Sequence, residues 1–190
     1  EKNWWINMKS IKKQWDKLFS KGFSYRRKFR YTPNVSGKIL DLGSGQGNSD
    51  LKKCGNVIYT DISDELKEGV QCDAVSLPFK NNSFDYVTSF AMIHHIPKYK
   101  LKKLYREINR VSRKGWYLTY AELSKEKSKK YKIIGNIINR TYYNHSEKDI
   151  LNEFKNSKIE KGHKSKNKIK YLVGTKVKQD YITNKIIVND

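Results

Sequence analysis

Cysteine is scarce in this sequence: Cys54 and Cys72 are the only two among 190 residues, and neither forms a C-x-x-C pair. Two isolated cysteines give neither a disulfide framework nor the ligand spacing of a zinc site, so we expect reduced thiols, no resident metal and a cytoplasmic location. Long apolar runs are also lacking. No stretch approaches the ~20 residues that cross a bilayer, and the basic, aromatic N-terminal residues have no signal-peptide core. The sequence therefore predicts a soluble protein with no membrane partner.

Acidic residues are few as well. Nineteen Asp and Glu stand against forty Lys and Arg, which gives a formal net charge of +21. The surplus lies in the flanks, because residues 1–36 carry ten basic and two acidic groups and residues 122–178 carry sixteen and six. Such a surplus attracts polyanions, among them RNA, DNA and acidic membrane surfaces. A general lysine bias in composition is the alternative explanation.

The length suits one domain. Within it we distinguish a basic and aromatic helical extension (residues 1–36), a central unit (residues 37–121) and a basic C-terminal region (residues 122–190). Apolar residues at three- and four-residue steps predict an amphipathic helix from Trp4 to near Gly22.

Strand and helix signals alternate in the central unit. Short β-branched or aliphatic runs predict strands at residues 38–42, 56–62, 84–90 and 116–120, and one helical face lies within residues 97–114. This alternation is typical of the α/β class, a Rossmann-like doubly wound sheet that is mostly parallel with helices on both faces. A run at residues 169–177 predicts a last strand, which we expect to be antiparallel.

Two further features belong to the C-terminal region. The polar stretch from Glu122 to Lys130 predicts a surface loop. Ser146 has the position of a helix N-cap, and Asp149, three residues later, has that of a capping-box acid, so a helix should open there and run through Phe154.

The most informative motif is the glycine loop Asp41-Leu-Gly43-Ser44-Gly45-Gln-Gly47, which directly follows the first predicted strand. Ligands of open α/β sheets bind beyond the carboxyl ends of the strands, where glycine allows the backbone to come close. Asp61 ends the second predicted strand, and its carboxylate can bridge the two hydroxyls of a ribose. Dehydrogenases use the spacing G-x-G-x-x-G, which differs by one residue. Loop and carboxylate predict a nucleotide-like ligand, although Asp41 and Asp61 can also be simple strand-end caps.

The next segments decide between the classes of enzyme. The run Gln71-Cys-Asp73-Ala74-Val-Ser-Leu77-Pro78-Phe79 precedes Phe84-Asp85, and together with the loop and Asp61 these motifs resemble the class I S-adenosylmethionine-dependent methyltransferases of the methyltransferase type 11 group. The resemblance covers residues 37–121. It implies S-adenosylmethionine as cofactor, S-adenosylhomocysteine as product and a set of cofactor-binding residues: Asp41, Gly43, Ser44, Gly45, Gly47, Asp61, Ile62, Asp73, Ala74, Ser89 and Phe90.

Several of these positions have an ordinary alternative. In the family the Asp73-Ala74 pair contacts the adenine amine, but Asp73 can be a plain turn residue. Ile62 can cover the adenine or belong to the core. For Asp85 we expect a structural hydrogen bond rather than catalysis.

The residues after the fourth strand point to the acceptor. The Ile93-His94-His95 ending resembles the enzymes that methylate the carboxymethyl group of wobble uridine in tRNA, and the segment Arg140-Thr-Tyr142-Tyr143-Asn-His145 resembles their Arg-Tyr-Tyr-His segment, with Thr141 and Tyr143 as departures. The resemblance implies catalytic or positioning roles for His94, His95 and Arg140. It also implies two partners, a tRNA anticodon loop and a small zinc-binding activator protein.

A carboxylate acceptor is already anionic near neutral pH, so its methylation needs alignment and exclusion of water but no general base. Basic residues interleaved with aromatic ones in residues 9–31 would serve RNA binding independently, through phosphate contacts and base stacking. Two alternatives stay open. One is a methyltransferase of the same fold that acts on a small molecule or lipid precursor, and the other is a catalytically silent RNA-binding subunit.

Overall fold

The computed structural model describes residues 2–21, 33–47, 49–121, 127–133, 136–161 and 169–176. Its α-helices are α1 (Lys2–Ser20), α2 (Leu101–Val111) and α3 (Glu147–Glu153). Its strands are β1 (Gly37–Leu42), β2 (Gly55–Asp61), β3 (Val70–Gln71), β4 (Phe84–Ser89), β5 (Ser112–Ala121), β6 (Lys127–Ile133), β7 (Asn136–Tyr142), β8 (Ser157–Lys161) and β9 (Ile169–Thr175). Short 3-10 helices lie at Ser49–Cys54, Ile93–His95 and Lys98–Lys100.

The main sheet has seven strands in the order β3-β2-β1-β4-β5-β9-β8. The strands from β3 to β5 are parallel, whereas β9 runs antiparallel to β5, and β8 antiparallel to β9. In the register Leu42 lies between Thr60 and Ser89, so the carboxyl ends of β1, β2 and β4 meet at one edge of the sheet. The predicted fold class and its antiparallel last strand are confirmed.

The core forms between the sheet and helices α2 and α3. The apolar residues of α2 recur at three- and four-residue steps and are all buried, as the sequence predicts: Leu101, Leu104, Ile108 and Val111. They pack in one cluster with Phe84 and Trp116 of the sheet and with Phe154, which follows α3. Ser146 and Asp149 form the predicted capping box, in which each side chain accepts a hydrogen bond from the other's backbone N–H.

Helix α2 also holds the turn at Leu77 and Phe79 in place. The Leu77 N–H donates to Glu107 Oε2 at 2.7 Å, and Arg110 donates to the carbonyl oxygens of Phe79 at 2.6 Å and Leu77 at 3.0 Å. Because Arg110 also pairs with Glu107 at 2.7 Å, the two charged side chains act as one clamp on the loop that leads into β4.

The C-terminal region departs most from the prediction. The expected loop at residues 122–130 is wrong from Lys127 onward, because Lys127–Ile133 is strand β6, paired with β7 in a separate two-stranded sheet. The lysine-rich composition suggested solvent exposure, but ladder hydrogen bonds to β7 satisfy the backbone whatever the side chains are. Residues 122–126 lie outside the described part of the chain. Strand β8 was not predicted, and it places the antiparallel β9 inside the sheet rather than at its edge.

The amphipathic helix predicted to end near Gly22 is α1, which ends at Ser20; Gly22 itself lies outside the described residues. After the glycine loop the chain forms a 3-10 helix at Ser49–Cys54 in place of the α-helix typical of this fold class.

Candidate functional site

The glycine loop turns at the carboxyl end of β1. Gly43, Gly45 and Gly47 have φ angles of +66°, +59° and +91°, which L side chains rarely adopt. Ser44 anchors the loop, since its N–H and its hydroxyl both donate to the carbonyl oxygen of Thr60, at 2.9 and 3.2 Å. The loop is therefore fixed to the end of β2 and presents backbone without Cβ atoms.

Asp61 lies beside this loop. Its Oδ2 accepts from the Gly45 N–H at 2.8 Å and its Oδ1 from the Ser63 N–H at 3.0 Å, and the residue is 7% exposed. Burial raises the pKa of the Asp61 carboxyl, and these backbone bonds oppose that rise. Each carboxylate oxygen has a second lone pair, so it can accept a further hydrogen bond from a ligand. A glycine loop and an oriented carboxylate at adjoining strand ends fit the ribose of a nucleoside cofactor.

Asp41 lies deeper than the loop. It is opposite Thr88 in the β1–β4 register and only 1% exposed, and its Oδ1 accepts from the Thr88 hydroxyl at 2.8 Å. Burial raises the pKa of Asp41 to about 7, the Thr88 hydrogen bond opposes the rise and the charge of Asp61 adds to it. The sequence predicted neither the hydrogen bond between Asp41 and Thr88 nor the raised pKa of Asp41.

The residues predicted for the adenine side form a turn. Asp73 Oδ1 accepts from the Val75 N–H at 3.1 Å, and its other oxygen lies 4.0 Å from the Lys100 ammonium group. Ala74 packs partly buried against the core, and Ile62 is half-buried. The turn role that the sequence left open for Asp73 is thus present. Asp85, as expected, is structural, and it accepts from the Lys38 N–H at 2.9 Å.

The end of β4 contributes Ser89 and Phe90. Ser89 is fully buried, and its hydroxyl donates to the Leu42 carbonyl oxygen at 2.9 Å, so it joins β4 to β1. Phe90 is half-buried, with its ring centroid 6.2 Å from that of Tyr117. Of the two, Phe90 is the residue with surface left to meet a ligand.

His94 and His95 lie in the 3-10 helix after β4 and are 5% and 6% exposed. The His94 ring stacks on Tyr142 at 5.3 Å with an interplanar angle of 9°, and the His95 ring lies 4.6 Å from Tyr142 and 5.1 Å from Trp15. We call these four residues, His94, His95, Tyr142 and Trp15, the aromatic–histidine cluster. It brings together residues from three distant parts of the chain.

Backbone contacts dock the end of β7 onto the same turn. The Tyr143 N–H donates to the His94 carbonyl oxygen at 2.8 Å, and His145 Nε2 lies 2.9 Å from the Ile96 carbonyl oxygen. Burial lowers the pKa of His145. The two segments that the sequence singled out for the acceptor side are therefore neighbours. Arg140 lies opposite Lys129 in the β6–β7 ladder, and its side chain falls outside the described part of the structure.

Helix α1 completes the site in a way that sequence reasoning missed. Phe19, stacked on Trp15 at 5.4 Å, lies so close to the glycine loop that a Cβ on Gly45 would be 3.2 Å from its ring. Asp16 Oδ1 accepts from the Ser63 hydroxyl at 2.7 Å and from the Asp64 N–H at 3.2 Å. The amphipathic period predicted this helix, but period alone does not tell which surface the helix covers.

Among the described residues, no group of three or more His, Cys, Asp or Glu side chains has the arrangement of a metal site. Within the same ranges, no helix has the length and apolar character needed to span a membrane.

Residues 40–119 match the family model of a methyltransferase domain. Among curated relatives, protein MJ1252 of Methanocaldococcus jannaschii is 35% identical over 122 residues, which are 53% of this chain and 47% of the relative. The ubiquinone/menaquinone biosynthesis C-methyltransferase UbiE of Shewanella sp. (strain ANA-3) is 34% identical over 124 residues, 50% of this chain and 48% of the relative. The chain thus spans about half the length of the curated relatives it matches.

Solved structures share the fold. The PH0226 protein of Pyrococcus horikoshii superposes with a TM-score of 0.60 at 19% identity, over 90% of this chain and 91% of that one. The complex of DhpI with S-adenosylhomocysteine gives 0.68 at 13% identity, over 87% and 95%. Residues 40–119 are therefore similar to a methyltransferase domain, and the chain shares the Rossmann-like fold of solved methyltransferases.

Proposed function

We propose that the chain transfers the methyl group of S-adenosylmethionine to RNA, specifically to the carboxymethyl group of a wobble uridine in a tRNA anticodon loop. The observation that carries the RNA proposal is the aromatic–histidine cluster at the end of β4, with exposed lysines on the same helix that supplies Trp15. Those lysines are Lys9, Lys13 and Lys17. Trp15 is the half-buried ring of the cluster, and such a ring beside cationic side chains suits an unpaired base and its phosphates.

Each part of the site has a task in this reaction. The cofactor supplies an activated methyl group on its sulfonium centre. The glycine loop and Asp61 bind the cofactor at the strand ends. His94 and His95 orient the acceptor by hydrogen bonds, and Arg140 pairs with its carboxylate or with a phosphate. Because that carboxylate is already ionised, the protein contributes alignment and removal of water, with no proton to take away.

A small-molecule acceptor is the second candidate, favoured by the similarity to UbiE. Methyl transfer to carbon requires removal of a proton, and a histidine at the end of β4 would then serve as general base. Ionic strength separates the two candidates. RNA binding weakens steeply with salt because phosphates release counterions, whereas a neutral acceptor is nearly indifferent to salt.

Methyl transfer tests the proposal directly. The purified protein is incubated with labelled S-adenosylmethionine and either total RNA or a lipid extract, and labelled RNA is digested to nucleosides. We expect label in a carboxymethyl-uridine derivative, lost in Asp61→Ala. Label confined to lipid would refute the RNA acceptor. Failure of calorimetry to detect any cofactor binding would refute methyl transfer and favour a silent RNA-binding subunit.

The histidines are tested separately. We expect His94→Ala and His95→Ala to lower the methyl-transfer rate while the cofactor Kd, measured by calorimetry, stays near that of the unmodified protein. A rate that remains unchanged at saturating acceptor would remove that histidine from the mechanism.

A further inference from the structure

Helix α1 lies outside the matched residues 40–119, yet it contacts both halves of the site. Toward the cofactor side, Asp16 binds Ser63 and Asp64, which follow the β2 carboxylate Asp61. Toward the acceptor side, the adjacent Trp15 lies edge-on to His95. Since consecutive residues of a helix point in directions about 100° apart, one helix can address two neighbouring surfaces.

A continuous chain of hydrogen bonds runs from α1 to the glycine loop. The Ser63 hydroxyl donates to Asp16 at 2.7 Å, the Ser63 N–H donates to Asp61 at 3.0 Å, and Asp61 accepts in turn from the Gly45 N–H at 2.8 Å. Ser63 is fully buried, and its hydroxyl oxygen also accepts from the Glu65 N–H at 3.2 Å. The position of Ser63 therefore depends on a carboxylate outside the Rossmann-like core.

We propose that Asp16 is a positioning residue of the cofactor site: it holds Ser63, and through Ser63 it orients Asp61 toward the cofactor ribose. This inference rests on the proposed function, because it assumes that Asp61 binds S-adenosylmethionine. A hydrogen bond to a charged acceptor is stronger than one between neutral groups. Asp16 accepts hydrogen bonds from two groups, so its removal releases the Ser63 hydroxyl and the Asp64 N–H together.

The arrangement couples the two halves of the site. When Asp16 holds α1 against the loop after β2, Phe19 lies on the glycine loop and Trp15 on His95. Cofactor binding favours the docked position of α1, because Asp61, the proposed cofactor ligand, is joined to α1 through Ser63. In the docked position Trp15 lies against His95, which we propose orients the acceptor. The cofactor should therefore increase acceptor affinity, and the acceptor should increase cofactor affinity by the same factor.

Asp16 also forms an ion pair with Lys12, so two substitutions at Asp16 can separate the effect of its charge from that of its hydrogen bonds. Lys12 forms ion pairs with Asp16 at 2.6 Å and with Asp64 at 2.5 Å, and its side chain is 30% exposed. Such partly exposed pairs contribute little and are screened by salt. Asp16→Asn loses the ion pair but keeps an oxygen that accepts from Ser63 and Asp64, whereas Asp16→Ala loses both.

The test measures cofactor affinity by calorimetry and exchange of the Asp64 amide proton by NMR. We expect Asp16→Ala to weaken S-adenosylmethionine binding about tenfold, a loss typical of one charge-assisted hydrogen bond, and to speed Asp64 exchange. Asp16→Asn should stay within about threefold of the unmodified protein, since its amide oxygen still accepts from Ser63 and only the charge is lost. Ser20→Ala, at an exposed position of the same helix, is the matched control and should change neither measurement. In turnover, KM for the cofactor should rise in Asp16→Ala with kcat little affected.

Ser63→Ala gives a second route to the same answer, because it removes only the hydroxyl. We expect it to weaken cofactor binding and to show little further loss when combined with Asp16→Ala. Normal cofactor affinity in Asp16→Ala, despite rapid Asp64 exchange, would overturn the positioning role, and so would fully additive losses in the double variant. If the unmodified protein bound no cofactor, the proposed function itself would fail, which is a different result.

Discussion

The buried carboxyl group of Asp41 makes stability depend on pH in an unusual direction. Its pKa is raised by burial to about 7 in the folded protein, against an ordinary value of 3.8, so between these pH values the folded state holds a proton that the unfolded state has released. Stability therefore falls as pH rises through this window. Three pKa units correspond to at most about 4 kcal/mol.

Asp41→Asn removes this titration but keeps an oxygen that accepts from Thr88. Urea unfolding of both proteins is measured between pH 5 and 8. The free energy of unfolding of the variant should rise relative to that of the unmodified protein by about 3 kcal/mol, because about two units of the window lie within this range. Histidine titrations occur in both proteins and cancel in the difference. Thr88→Val is the companion variant. Because it deletes the bond that lowers the Asp41 pKa, the loss of stability should continue to higher pH. Parallel curves for Asp41→Asn and the unmodified protein would refute a buried carboxyl that titrates near neutrality.

Three further substitutions test other contacts. Arg110→Met should lower the free energy of unfolding by about 2 kcal/mol, because the carbonyl oxygens of Leu77 and Phe79 lose a charged donor; a loss under about 0.5 kcal/mol, as for an ordinary surface substitution, would contradict the clamp. His145→Phe should cost about 1–3 kcal/mol by leaving a buried carbonyl without its donor. The unmodified protein should lose stability as pH falls below about 6.5, since the unfolded histidine binds a proton there before the folded one does, and the variant should lack this loss. The same loss of stability at acid pH in both proteins would contradict a lowered His145 pKa. Gly43→Ala combines a φ of +66° with a Cβ 2.5 Å from Met92, so we expect clearly weaker cofactor binding by calorimetry, and unaltered affinity would show that the loop yields easily.

The cofactor half of the fold was predictable because its signals are local. A short, mostly aliphatic run followed by glycines at alternate positions predicts β1 and its loop from ten consecutive residues. Ser146 and Asp149 predict the start of α3 from four. The burial of Asp41 against Thr88 was not predictable in this way. It depends on a contact between side chains of β1 and β4, which are far apart in the sequence, and no local pattern indicates that contact.

The acceptor half was predicted only through resemblance. The motif around Tyr142 carries no local pattern that indicates a contact with His94, and the lysines of β6 obscure the hairpin that leads to it. Trp15 lay on a correctly predicted helix, but the surface it covers is set by tertiary packing. Asp16 was one more charged residue of an amphipathic helix until the structure placed it beside Ser63.

The docking of α1 has a consequence for synthesis of the chain. Its buried residues Leu18 and Phe19 leave the ribosome before the glycine loop against which Phe19 packs and before His95, the partner of Trp15. Segments with exposed apolar surface are prone to aggregate while they wait for partners. The apolar face of the nascent helix therefore remains exposed until residues 43–95 have been made, and it is the segment on which we expect chaperones to act.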